Sequence, residues 1–96
     1  MPKVKVLLMG DIRKRVGWYN RELEIKGDTI GELLRELKTQ DGQPVENLVC
    51  CHKCVKPDYW ILINGNEVRR DKGLETRVNN GDKIVIMPVI PMMAGG

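Results

Sequence analysis

The sequence predicts an α+β domain, a mixed sheet of four to five strands with one main helix packed on it. Three observations carry this expectation. Apolar and charged residues alternate near both ends of the chain, which is the two-residue period of a half-buried strand. Ile30, Leu33, Leu34 and Leu37 keep the i, i+3, i+4, i+7 spacing of a single apolar helical stripe. Clusters of Gly, Asn and Asp separate the periodic segments.

Taken in order, residues 3–9 read as a strand with Val4, Val6 and Leu8 on one face and Lys3 and Lys5 on the other. Gly10-Asp11 ends it, and Ile12 and Val16 share a short turn that Gly17 closes. Residues 21–26 alternate again, with Leu23 and Ile25 inward, and are expected to pair with the first strand as an antiparallel hairpin. Gly27-Asp28 breaks this strand. Thr29-Ile30-Gly31-Glu32 then fits a capping box, in which hydroxyl and carboxylate each satisfy a free backbone N–H. The helix is expected over 30–38 and is stopped by Asp41-Gly42. Residues 43–58 read two ways: a short helix opened by Pro44, with Val45, Leu48, Val49 and His52 along one side, or a loop. Tyr59-Trp60-Ile61-Leu62-Ile63 is nearly continuously apolar, as a central strand covered on both faces is. Asn64-Gly65 marks a tight turn, Glu67 and Val68 a short return, and Asn80-Gly81-Asp82 a second turn. Residues 83–87 form the last strand, with Ile84 and Ile86 on one face, and Pro88 and Pro91 keep it from running on as a regular ladder. The order strand, strand, helix, strand, short strand, strand is that of the β-grasp, or ubiquitin-like, fold. The domain is expected over 1–88, with 41–58 as a Cys-containing insert and 89–96 as an extended, flexible tail. Leu33, Leu34, Leu37, Ile61 and Ile63 are expected in the core, and Trp18 and Trp60 either at its edge or in contact with a partner.

Composition narrows the function classes. With 96 residues there is room for one modest core, and with aromatics at 4% and no Phe that core is filled by Ile, Leu and Val. No apolar run approaches the roughly 20 residues of a membrane span, and no signal-type apolar segment follows Met1, so the expected compartment is the cytoplasm. A net charge of +3 is too small to argue for nucleic acid; Arg13-Lys14-Arg15 and Arg69-Arg70 read as solvated rims.

Several segments, in one order, resemble the small sulfur-carrier family that includes MoaD and ThiS. They are Gly10-Asp11-Ile12-Arg13 through Val16-Gly17, Thr29-Ile30-Gly31-Glu32-Leu33-Leu34, Ile63-Asn64-Gly65 through Val68, Asn80-Gly81-Asp82-Lys83-Ile84 through Pro88, and the terminal Gly95-Gly96. The position of Pro88 and the long loop around Ile12 and Val16 favour MoaD, the small subunit of molybdopterin synthase. The linker 40–56 departs from the family in its length and in its Cys-Cys-His-Lys-Cys run, for which the resemblance implies no role.

A terminal carboxylate is ionised in a cell, with a pKa of about 3.3–3.7, and is a poor electrophile until activated. Two Gly without Cβ suit threading into a narrow active site. The resemblance implies the rest. Gly96 is the acceptor of an adenylate and then of a thiocarboxylate, Gly95 and Ala94 thread with it, and Pro88, Pro91, Met92 and Met93 dock to a partner. The partners implied are an adenylating enzyme of the ubiquitin-activating type that uses ATP and magnesium, a sulfur donor such as a cysteine desulfurase, and the molybdopterin synthase large subunit or an equivalent acceptor enzyme, with thiazole formation and tRNA thiolation as other routes. The chain itself is expected to bind no cofactor and to supply no catalytic side chain. Two other readings stand beside this one: a ubiquitin-like modifier conjugated through Gly96, and a non-covalent β-grasp binding module.

Cys50, Cys51 and Cys54 form an odd, clustered set, which argues against a disulfide framework. No metal site is expected; one would have to be assembled from Cys50, Cys51, His52 and Cys54, and neighbours in sequence cannot easily all face one ion. The remaining readings are an ordinary reduced loop and redox or sulfur handling, with Lys53 and Lys56 nearby.

Overall fold

The computed structural model describes residues 1–89. Its main sheet has five strands: β1 (Lys3–Leu8), β2 (Asn20–Glu24), β5 (Tyr59–Ile63), β6 (Asn66–Glu67) and β7 (Lys83–Pro88). They lie in the order β2-β1-β7-β5-β6, with β1 and β7 parallel and every other pair antiparallel. Between them come α1 (Asp11–Val16), α2 (Ile30–Glu36), α3 (Glu46–Val49) and a two-stranded hairpin of β3 (Cys50–Cys51) and β4 (Cys54–Val55). This is the mixed sheet with one main helix that the order of elements predicts.

The alternation of β1 sets its faces. Val4, Val6 and Leu8 are buried while Lys3 and Lys5 are exposed, and the register places Val6 beside Ile84 and Leu8 beside Ile86, both buried on β7. α2 covers this face with Ile30, Leu33 and Leu34, each fully buried. α1 is a true helix where the sequence suggests only a turn; Ile12 and Val16 are buried, and Gly17 closes it at φ 100°. At the start of α2 the Thr29 Oγ1 accepts the Glu32 N–H at 3.2 Å. Glu32 returns to the Asp28 N–H at 3.4 Å, one residue upstream of the expected box.

Three expectations change. α2 ends at Glu36 rather than at residue 38, because the extended, buried Leu37 turns its carbonyl to the Val45 N–H at 2.8 Å, and that tertiary bond outweighs another helical turn. β5 is not the central, doubly covered strand. β7 holds the centre, and on β5 only Ile61 is fully buried; Ile63 is half-buried against the core, and Trp60 and Leu62 are half-buried. In 43–58 the short helix forms, with Val45 and Val49 buried, but His52 has left it for an exposed turn. Trp18 packs at the core edge, with the Arg21 guanidinium 5.0 Å from its ring.

Candidate functional site

The site is built where β7 ends. Pro88 stands opposite Tyr59 in the ladder, and the Val89 N–H donates at 2.7 Å to the carbonyl of Asp58, the residue before β5, so the chain is held to the last described residue. On the other side Met9 donates its N–H to the Ile86 carbonyl at 3.0 Å. Gly10 follows at φ 74°, and a Cβ there would lie 2.7 Å from Pro88 Cγ and 2.9 Å from Cδ. A side chain at residue 10 and the ring of Pro88 cannot occupy the same space, so Gly10 is required both by its backbone angle and by the packing of the exit. We expect Gly10→Ala to cost about 1–3 kcal/mol in urea unfolding, and to speed exchange of the Val89 amide as Pro88 shifts. Unchanged Val89 exchange would show that the exit does not depend on this contact.

Charge around the exit is mixed. Burial first, and then the Asp11 and Asp58 carboxylates, push the Tyr59 phenol up, with Arg15 pulling the other way. Beside the exit the sheet presents the face that α2 leaves uncovered. Leu7 and Leu62 both flank Val85 in register, and Trp60 is paired with Met87; all five are half-buried and lie outside the core cluster. Half-buried apolar side chains therefore lie side by side on three neighbouring strands, leading to the end of β7.

Of the residues singled out in the sequence, Pro88 is placed at this exit. Gly95, Gly96, Ala94, Pro91, Met92 and Met93 lie outside the described residues. The Cys run lies elsewhere, on the β3–β4 hairpin. Cys50 packs against the core, and burial, then the Glu46 carboxylate and Cys54, push its thiol up to about 11 from an ordinary 9.0. Among the described residues no three His, Cys, Asp or Glu side chains converge as metal ligands.

The raised thiol has a pH consequence. An unfolded Cys50 loses its proton near 9.0, whereas the folded one holds it to about 11. The folded state therefore binds more protons between those values, and stability present below pH 9 is lost as pH rises toward 11. Comparing urea midpoints of the wild type and Cys50→Ala across this range isolates the effect: the wild type should decline more steeply. Parallel curves would show that the Cys50 environment does not favour the neutral thiol.

Sequence reasoning missed Gly10, Asp58 and Tyr59 as parts of the exit. Gly10 reads as a turn residue, but its encounter with Pro88 joins positions far apart in the chain.

A five-stranded mixed sheet with a helix across one face and a central last strand is the ubiquitin-like β-grasp architecture. The pattern of the ThiS family matches residues 6–96, and the chain belongs to that family. It is 34% identical over 77 residues to a chain designated a sulfur carrier protein in Archaeoglobus fulgidus, covering 78% of this chain and 84% of that one. Small archaeal modifier protein 1 from Methanosarcina acetivorans, solved in solution, is 30% identical with a TM-score of 0.71, covering 95% of this chain and 96% of that one. A chain of the Amycolatopsis orientalis BexX/CysO complex shares the fold at 23% identity and a TM-score of 0.72, over 91% and 96% of the two chains.

Proposed function

We propose that this protein carries sulfur on its C-terminal residue. The observation that carries the reading is a family match that runs to Gly96, on a domain whose last described strand lies at the centre of the sheet, bonded to Met9 at Ile86 on one side and held through Val89 on the other. The Gly96 carboxylate attacks the α-phosphate of ATP in an adenylating partner, which uses magnesium, and pyrophosphate leaves. A donor enzyme such as a cysteine desulfurase presents a persulfide, whose terminal sulfur attacks the acyl-adenylate and releases AMP. A second thiol of the donor or the adenylating enzyme then attacks the resulting acyl disulfide, forming a disulfide with the donor's cysteine and releasing the thiocarboxylate. This chain contributes reach and presentation: Gly95 and Ala94 pass a narrow channel without bulky side chains, Pro91, Met92 and Met93 dock upstream of them, and the Leu7–Val85–Leu62 row with Trp60 and Met87 meets the partner. The hydrogen bond from the Val89 N–H to the Asp58 carbonyl holds the described end of the chain in place, so less of the chain has to be ordered on docking. The acceptor we propose is a pterin precursor held by a molybdopterin synthase large subunit or an equivalent enzyme, on the position of Pro88 and the long segment between β1 and β2.

The test is fragmentation mass spectrometry of the C-terminal peptide from protein purified from its native host. Fragmentation is needed because sulfur in place of oxygen adds the same nominal mass as oxidation of one of five Met. Sulfur located on Gly96 supports the carrier; a carboxylate that stays unmodified with adenylating enzyme, ATP and sulfur donor overturns it. A second reading, conjugation to a Lys of another protein, is favoured by the likeness to the Methanosarcina modifier protein. It predicts higher-mass conjugates in native lysate that vanish when the tail is removed.

A further inference from the structure

The β3–β4 hairpin brings two of the three thiols together. Cys51 and Cys54 are direct partners across its antiparallel ladder, and Cys50 is paired with Val55. Because strand side chains alternate, Cys51 and Cys54 share one face and Cys50 and Val55 the other. The burial agrees: Val55 is buried and Cys50 packs on the core, while Cys51 is exposed and Cys54 half-exposed. Directly opposed residues in such a ladder have Cα atoms about 4.5–5.5 Å apart, within the span that a disulfide bridges. The turn between them is formed by His52 at φ 54° and Lys53 at φ 64°, the two positive angles of a type I′ hairpin, adopted here without Gly or Asn. Two hydrogen bonds anchor the chain that leaves the turn. The Val55 N–H donates to the Arg70 carbonyl at 3.1 Å, and the Lys56 N–H donates to the Val49 carbonyl at 2.8 Å. Strained backbone held by its surroundings is a feature of working sites.

We propose that Cys51 and Cys54 are a reversible dithiol–disulfide pair. The oxidant is a low-molecular-weight disulfide of the glutathione class. The exposed Cys51, as thiolate, attacks one sulfur of that disulfide; its S–S bond breaks, one small thiolate leaves, and a mixed disulfide forms. The Cys54 thiolate then attacks the Cys51 sulfur, releases the second small thiolate and closes the internal bridge. Two electrons pass from the protein to the small disulfide, and the two protons lost by the cysteines end on the two released thiols. Cys50 takes no part: it lies on the opposite face, and its raised thiol stays protonated at neutral pH. An exposed bridge closing so short a ring belongs to the reducible class rather than to structural disulfides. The inference is independent of the carrier reading.

The experiment equilibrates the full chain with glutathione buffers from reducing to oxidising, quenches with an alkylating agent and maps the products by mass spectrometry. Cleavage after Lys53 separates Cys51 from Cys54, so a bridge joins two peptides. The expected result is the loss of two hydrogen masses and a fall in free thiols from three to one, reversed in the reducing buffers. Cys50→Ser should behave as the wild type, and Cys51→Ser and Cys54→Ser should each stop at the glutathione adduct. A bridge that includes Cys50, a bridge between two chains, or a wild type that keeps three thiols or a stable adduct in every buffer overturns the proposal. The wild-type measurement decides it even where a variant fails to fold.

Discussion

Deleting Gly96 from the full chain is expected to abolish ATP-dependent loading of sulfur, a loss of about 10²-fold or more, with no change in the urea midpoint. The two halves of this result have separate causes. Loading needs the reacting carboxylate at one point in the partner's site, and removal of one residue draws the new terminus back by about 3.3–3.6 Å of extended chain. Displacements smaller than that already cost about 10²-fold in positioned reactions. Stability is untouched because the described core ends at Ile86, and the chain is secured up to Val89 by the Asp58 carbonyl. The assay is incorporation of labelled sulfur with the host's adenylating enzyme, read beside an unfolding curve. Loading retained by the shortened chain would remove Gly96 from its proposed role, whereas a lowered midpoint would place the tail in the fold.

The second large effect lies in the core. Ile86→Ala is expected to cost about 2–5 kcal/mol, a large share of the roughly 5–15 kcal/mol that holds a typical domain together. Ile86 is fully buried on the central strand, with Leu8 as its partner on β1 and Ile61 on β5, both also buried. A truncation there opens a cavity that cannot close without moving three strands. The same residue accepts the Met9 N–H beside Gly10, so the exit should loosen with the core. The urea midpoint measures the first consequence and exchange of the Val89 amide the second. Leu62→Ala, on the uncovered face, should cost less. Equal losses at the two positions would show that the face opposite α2 is packed as tightly as the core.

Local pattern and global arrangement were unequally legible. The helical stripe of Ile30, Leu33 and Leu34 and the alternation of Val4, Val6 and Leu8 could be read directly, because a single period decides which face is apolar and burial follows it. β5 misled for a related reason. Its apolar run is what a doubly covered strand shows, but Trp60 and Leu62 lie on the face that α2 does not cover, and composition does not separate a covered apolar face from an open one. The end of α2 was set by Leu37 and Val45, a tertiary hydrogen bond with no trace in helix propensity. In the Cys run, His52-Lys53 lacks the Asn-Gly signature of a tight hairpin, so the pairing of Cys51 with Cys54 was hidden. The exit was legible at Pro88 alone, since Gly10 and Tyr59 join it through contacts distant in the chain.

The sequence by itself determined the inward faces of β1, β7 and α2, the capped start of α2, and the terminal Gly95-Gly96 that marks the proposed chemistry. Each of these depends on residues within a turn or two of one another. Tertiary structure decided that β7 and not β5 is central, that one sheet face stays open beside the exit, that Gly10 must make room for Pro88, and that two thiols face each other. Periodicity fixes which way a side chain points along its own element. Which element it then meets depends on packing and hydrogen bonding summed over the whole chain, and only the folded arrangement contains that sum.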